Sequence, residues 1–598
     1  MMWSSGISIG ILQTLLFLSA ASADRPPPQY APLSTTLNGT YHGVYSPHFN
    51  QEFFLGIPYA QSTSGQNRFR LPRSLNTSWT GILPATKYGH ACPDFTPEDD
   101  DLWGMSEACL SINIIRPSSS VYSFDSGSAN LLPILFWIHG GAYQVGTSGL
   151  DRYNLSYLVS HSQRINKPVI GVSINYRKGP WGFLYSDEVQ GSGQTNLGLR
   201  DVRLALRWVR ENIGGFGGDK DKVTIWGESA GGFAVGQNVV AYGGEGIQGQ
   251  EGLFRASIQQ SGSATTAWYN GSFWYQGIYD GIVKEAGCGE SKADTLDCLR
   301  GVEYEKLYGI LSGRDVVAGG RGPGFYPVVD GDLIPEYPTQ LLEEGRFVRD
   351  VPHLLGTNSD EGTDNTQSVK IETDQEMHEH LMRDRGFNFP ESVVSRLMEL
   401  YPDDPTQGIP LNTGEERFEG FGGRQYKRAA AIIGDVFYHA PRLQDARAYA
   451  RYQNDTFVYR FNTRPWMPFV PLAPERYDGV EISCVDGICG SLGPGHEGVA
   501  HATELAFVFG NPGWLGPWEE WKRLSREMQT RWINFAHDGD PNGKGEGEMT
   551  RWPRYGSEKE GTNLVLQTEQ QGGLMSEKDN WRLEGRELMI RWARRRKV

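Results

Sequence analysis

Largely apolar runs occupy positions 131–138, 169–176 and 223–226, the first of them continuous, the second carrying Ser173 and Asn175 and the third Thr224. Runs of this kind, rich in Ile and Val, are the pattern of strands buried on both faces of a parallel sheet. Between the second and third run, Leu199, Val202, Leu206, Val209 and Ile213 recur at steps of three and four, and Gly214-Gly215 closes the series. That spacing predicts an amphipathic helix over 197–213. Further strands are expected at 256–260, 353–356 and 456–461. Strands and helices in this alternation predict an α/β domain around a parallel sheet with right-handed crossovers. Ahead of it, 53–70 reads as short antiparallel strands and turns; beyond about residue 270 the pattern loosens into helices and Gly/Pro-rich loops, read as insertions over the carboxyl edge of the sheet.

The third run leads into Gly227-Glu228-Ser229-Ala230-Gly231. A Ser between two glycines, with a strand before it and small residues after it, predicts a nucleophile elbow, a strand-to-helix turn so sharp that side chains at the glycine positions would strike neighbouring backbone. A second Gly-x-Ser-x-Gly, at 6–10, lies in an apolar leader and carries no chemistry. A Ser hydroxyl needs a base to take its proton, and the base needs a carboxylate to fix its tautomer. In this kind of fold the acid precedes the base along the chain. The loop after the 353–356 strand offers Asp360 and Glu361, and the region after the 456–461 strand offers His496 and His501; the residue types alone do not choose within either pair.

The leader sets the compartment. Positions 7–20 are almost wholly apolar, and Ala21-Ser22-Ala23 offers small residues at a cleavage spacing, so 1–23 is expected to be a secretory signal peptide and 24–598 a single domain. The apolar run is shorter than a bilayer requires, so no stable membrane anchor is expected. Six Cys suit an oxidising route and form three sequence-local pairs, Cys92 with Cys109, Cys288 with Cys298 and Cys484 with Cys489. Acceptor sequons stand at Asn38, Asn76, Asn154, Asn270 and Asn454, as in a secreted glycoprotein. The net charge of −15 argues against nucleic acid as a partner, and the terminal Arg594-Arg595-Arg596-Lys597 run reads as a solvated tail. No metal cluster, phosphate loop or nucleotide motif stands out, so no metal and no cofactor is expected. Oligomeric state is left open.

Several segments together resemble the type-B carboxylesterase/lipase family, which includes cholinesterases and secreted fungal lipases. They are 106–113, His139-Gly140-Gly141-Ala142-Tyr143, Asn175-Tyr176-Arg177, 196–218, the elbow, Gln260-Ser261-Gly262-Ser263, Asp360-Glu361-Gly362, 498–510, and Asn534-Phe535-Ala536 with Gly539-Asp540-Pro541-Asn542, in family order from about residue 35 to 555. The resemblance implies an α/β-hydrolase fold, a large mostly parallel sheet with helices on both faces and long insertions over the active site. It implies a triad of Ser229, Glu361 and His501 and an oxyanion hole of backbone N–H groups from Gly141, Ala142 and Ala230, with Ala142 standing where many members have a third Gly. His139 is expected to orient that loop. Glu228 and Ser261 match positions behind the triad, and Arg68–Glu107 and Arg177–Asp201 are implied ion pairs; the family often has Asp where this chain has Ala108.

The expected activity is hydrolysis of small or medium-sized carboxylic esters through an acyl-enzyme, by a secreted enzyme whose partner is the ester itself. Relatives carry a lipase lid or part of an aromatic gorge between the counterparts of Cys92 and Cys109. Here that loop is short and holds Glu98-Asp99-Asp100-Asp101, unlike an apolar lid, which favours an esterase over a triacylglycerol lipase; Trp103 reads as a surface or packing residue rather than one that stacks on a substrate. Some relatives are non-catalytic adhesion proteins that have lost triad residues. Retention of Ser229, Glu361 and His501 favours an enzyme.

Overall fold

The computed structural model describes residues 31–95, 104–120, 122, 131–244, 252–266, 269–289, 294–312, 324–366, 369–383, 389–452, 455–468, 483–485, 488–543, 550–556 and 561–595. The leader 1–23, the acidic run with Trp103, and Asn454 lie outside the described residues. Among those described, no helix is long and apolar enough to cross a membrane.

One sheet organises the chain. Its strands, in chain order, are β1 (Val44–Ser46), β2 (Gln51–Pro58), β3 (Ser111–Pro117), β4 (Leu132–Ile138), β5 (Ile170–Ile174), β6 (Gly218–Glu228), β7 (Ala256–Gln260), β8 (His353–Asn358), β9 (Thr456–Phe461), β10 (Thr562–Leu566) and β11 (Met575–Lys578). Their order across the sheet is β11-β10-β9-β8-β7-β6-β4-β5-β3-β2-β1. The run from β10 to β5 is parallel, with antiparallel pairings at both margins.

Every residue of β4, β5, β7 and β8 is buried, as their apolar runs require. Side chains alternate across a strand, so β4 divides its apolar residues between two cores. Ile134, Phe136 and Ile138 join one core, and Leu135 and Trp137 the other. Helix α1 (Leu197–Asn212) covers the first face with Leu199, Val202, Leu206 and Val209. On the second face the later helix Glu519–Asp538 contributes Met528, Trp532 and Phe535 to the core that holds Trp226. The expected helices on both faces are therefore present.

The sheet extends further than the sequence pattern indicates. Strand β6 begins at Gly218, ahead of the apolar run, and its early residues Asp219 to Lys222 are polar and half-buried or exposed, so an apolar pattern does not reveal them. The sequence pattern indicates neither β10 nor β11, the second of which is short and largely exposed. The loop bearing His501 does not follow β9 directly. The strands Trp466–Pro468, Ser483–Val485 and Ile488–Leu492 form a small separate sheet between them.

A buried charge network fastens the last helix, Leu583–Arg595. Asp579 accepts hydrogen bonds from Arg442, from Arg586 at 2.8 Å and from the Tyr555 hydroxyl at 2.8 Å. Burial alone would raise this carboxyl, but Arg442 and Arg586 outweigh it and hold it well below the usual carboxylate range. Replacing Asp579 by Ala leaves two buried guanidinium groups without their anion, and is expected to cost about 3–5 kcal/mol. Chemical denaturation checks this; an unchanged midpoint would mean that the arginines are held by something else.

Candidate active site

Four adjacent strands, β8, β7, β6 and β4, end at the same edge of the sheet, and four segments of interest begin there. β6 ends at Glu228, helix α2 (Ala230–Val240) starts at Ala230, and Ser229 between them has φ 55° and ψ −127°. This strained conformation is the expected elbow. A Cβ on Gly227 would strike the Gly231 backbone, and one on Gly231 would strike the carbonyl of Ile138. The Ser229 amide donates to the Gln260 carbonyl at 2.9 Å, pinning the turn to β7. Glu228 and Ala230 are buried while Ser229 is half-buried, so Ser229 alone of the three reaches toward solvent.

Geometry separates the two acids that composition could not. Asp360 accepts from the backbone N–H groups of Val499 at 2.8 Å and Leu411 at 2.9 Å. Glu361 instead meets His501 Nδ1 at 2.7 Å through Oε2. Its Oε1 accepts from the Ser261 hydroxyl at 2.5 Å and from the Asn358 N–H at 2.7 Å. Both acids are buried, but Asp360 clamps the histidine loop while Glu361 faces the histidine.

The two histidines also differ in their contacts. The His496 ring stacks on Phe421, with centroids 3.4 Å apart. The His501 loop is tied to the acid loop by Asp360 N–H to Val499 O at 3.0 Å and by Asn358 Nδ2 to Ala500 O at 2.8 Å. His501 Nε2 lies 3.2 Å from Glu228 Oε1, in a geometry that makes no hydrogen bond for either atom. Since Glu228 immediately precedes Ser229, this contact brings His501 to the elbow.

Burial raises the Glu228 carboxyl, while the facing His501 imidazolium pulls it back toward its charged form. For His501 burial works downward, but the carboxylates of Glu228 and Glu361 outweigh it and hold the imidazole above its ordinary value. Glu504 is buried behind them, accepting from Gln260 Nε2 at 2.9 Å and Asn358 Nδ2 at 2.7 Å.

Two contributors were not found in the sequence. Tyr438 packs against His501, with centroids 4.5 Å apart, from a π-helical turn, Asp435–His439. Such turns often mark functional sites, but an extra residue in a helical turn leaves no mark in apolar spacing. Lys178 is the second, a fully buried ammonium beside the turn that follows β4.

In that turn Gly141 has φ 106°, Ala142 54° and Tyr143 59°. Among the described residues the N–H groups of Gly141 and Ala142 donate to no protein backbone acceptor. The Ala230 N–H belongs to the first turn of α2, where a helix has no acceptor for it. His139 holds the turn as expected, with Nδ1 at 2.8 Å from the Gly140 carbonyl and its ring stacked on Tyr176. Burial lowers His139 to about 3, so the ring is neutral and Nδ1 donates.

Of the expected disulfides, Cys92–Cys109 and Cys288–Cys298 are formed. Backbone register sets Cys484 opposite Cys489; their side chains lie outside the described residues. Arg177 pairs with Asp201 at 2.7 Å and Arg68 with Glu107, all four buried. Asn76 is exposed, and Asn38 and Asn154 are half-buried. Asn270 is 9 % exposed.

The profile of the carboxylesterase family matches residues 31–582. The chain is 32 % identical to Lipase 4 of Diutina rugosa over 94 % of this chain and 96 % of that one. It is 31 % identical to Secreted lipase 1 of Botryotinia fuckeliana (strain B05.10), over 89 % and 88 %. A solved structure of a PNB esterase superposes with a TM-score of 0.70 at 28 % identity, covering 93 % of this chain and 99 % of that one.

Proposed function

Because the chain belongs to the carboxylesterase family and is a carboxylic ester hydrolase with the α/β-hydrolase fold, we propose that Ser229 is its nucleophile, His501 its general base and Glu361 the acid that orients His501. The observation that carries this reading is the 2.7 Å contact of Glu361 with His501 Nδ1, made at the sheet edge where Ser229 occupies the strained elbow. With Nδ1–H donated to Glu361, Nε2 is free to take the Ser229 proton as Oγ attacks the ester carbonyl. The N–H groups of Gly141, Ala142 and Ala230 stabilise the negative oxygen of the tetrahedral intermediate. His501 then gives its proton to the departing alcohol, leaving the acyl group on Ser229. Water repeats the cycle and releases the acid.

Small or medium-sized esters suit the site better than aggregated lipid. The described part of the Cys92–Cys109 loop is docked: Phe95 packs against Trp181 and Tyr308, with centroids 5.6 and 5.2 Å apart, and Asp94 pairs with Lys178. The second reading, a triacylglycerol lipase, is favoured by the names of the two fungal relatives. Export is supported by the leader 1–23, by the two disulfides and by the secreted relative. Hydrolysis of p-nitrophenyl acetate, butyrate, octanoate and palmitate tests the substrate class. The expected result is kcat/KM highest for the short esters; a jump in rate on emulsified triacylglycerol would instead establish the lipase.

The carboxylates around His501 fix a pH dependence. The base must be neutral, so activity rises as pH rises through its titration. Glu228→Gln removes one of the charges that hold the imidazole protonated. The acid limb of the kcat/KM profile is therefore expected to move to lower pH. An unmoved limb would mean that Glu228 does not act on His501.

A further inference from the structure

We propose that Lys178 is a positioning residue for ester hydrolysis: it holds the oxyanion turn in its left-handed conformation and, through Asp94, ties that turn to the Cys92–Cys109 loop. This rests on the oxyanion assignment above.

Lys178 and Asp94 both have side chains 0 % exposed, with Nζ 2.6 Å from Oδ2. The same ammonium donates to the carbonyl of Gly146, the residue that ends the turn. The next residue, Gly179, donates its N–H to the Tyr143 carbonyl at 2.6 Å. Two consecutive residues thus grip two carbonyls of one turn. Between the grips, the Gly141 carbonyl accepts from the N–H groups of Gln144 at 2.8 Å and Val145 at 2.9 Å, closing the loop on itself.

The turn needs such a restraint. Ala142 and Tyr143 are consecutive non-glycine residues at φ 54° and 59°, a conformation that Cβ disfavours and that persists only where surrounding contacts impose it. Released, they would relax toward right-handed angles and rotate the Gly141 and Ala142 N–H groups away from the reacting oxygen. Gly146 is packed as closely as the turn allows, since a Cβ there would lie 2.9 Å from the Gly140 carbonyl and 3.1 Å from His139 Nδ1. Small shifts at Gly146 therefore reach the oxyanion glycines directly.

A buried ion pair is weak support for stability, because desolvation offsets most of the attraction. Its placement here makes sense as geometry: it fixes the carbonyl at the end of the oxyanion turn. Asp94 stands two residues after Cys92, and its N–H donates to Met105 Sδ at 3.3 Å inside the loop that the Cys92–Cys109 disulfide closes. Displacement of that loop would pull on Asp94, then on Lys178, then on the turn. Ground-state binding makes little use of oxyanion donors, whereas the tetrahedral intermediate depends on them.

The test is the paired substitution Asp94→Asn with Lys178→Met, which removes both charges together and leaves no buried ion unpaired. With p-nitrophenyl butyrate, kcat is expected to fall about 10- to 100-fold with KM within about threefold of wild type. The affinity of a trifluoromethyl ketone, which forms a tetrahedral adduct at the site, is expected to fall by the same factor as kcat/KM. A purely structural role would lower the unfolding midpoint without this split between kcat and KM. The single variant Asp94→Asn, which keeps the ammonium at Gly146, is expected to show the same signature at smaller size. Wild-type kcat in a folded paired variant, or wild-type kcat and ketone affinity in Asp94→Asn, would overturn the proposal. Failure of the oxyanion and triad reading itself would show separately, as hydrolysis that survives Ser229→Ala.

Discussion

Ser229→Ala is expected to lower kcat for p-nitrophenyl butyrate by roughly 10⁴- to 10⁶-fold while leaving the fold intact, the scale at which removal of an activated serine acts elsewhere. The substitution deletes one oxygen and keeps the Cβ that the elbow already accommodates at φ 55°. The bonds that set the turn, Ser229 N–H to Gln260 O and Phe233 N–H to Ser229 O, are backbone bonds that Ala retains. Stability should therefore be unchanged, and the residual rate should be what binding and the oxyanion donors give to attack by water. A folded Ser229→Ala variant that keeps a sizeable fraction of wild-type kcat would remove the nucleophile from the account.

Glu361→Gln is expected to lower kcat by about 10³- to 10⁴-fold with KM little changed, because the amide can turn an N–H toward His501 Nδ1 and force the tautomer whose Nε2 is protonated and useless as a base. The geometry favours that orientation, since Oε1 already accepts from Ser261 Oγ and the Asn358 N–H and would stay in place as the amide oxygen. Asp360→Asn is the control from the adjacent position. Its partners are the N–H groups of Val499 and Leu411, and an amide oxygen can still accept from one of them, so its loss should be far smaller. Equal losses in the two variants would mean that the loop as a whole, rather than Glu361, supports His501.

Much of this site is written locally in the chain. Strand β4 could be read because a strand covered on both faces must be apolar throughout, and the elbow because its glycines answer to collisions with Gly231 and Ile138 that follow from the turn itself. Choosing Glu361 over Asp360 needed resemblance, since the difference lies in which way two neighbouring side chains leave one loop. Their partners, Val499 and His501, are more than a hundred residues away.

The parts that escaped the sequence are of the same non-local kind. Tyr438 approaches His501 from a π-helical turn whose extra residue has no signature in apolar periodicity. Lys178 follows a strand, where a basic residue normally reads as solvent-facing; its burial depends on Asp94, 84 residues earlier. Strand β11 was missed because a short, largely exposed strand at a sheet margin carries little pattern of its own. Asn270 fits a glycosylation sequon by its neighbours alone, and only the fold reveals that it is buried.

The central claim is that Ser229 carries the acyl group, and peptide mapping of the protein after reaction with a fluorophosphonate tests it most directly. The expected result is a single adduct on Ser229, formed at the rate at which p-nitrophenyl butyrate hydrolysis is lost. Loss of hydrolysis with the adduct on another residue, or hydrolysis that continues with Ser229 fully labelled, would contradict it.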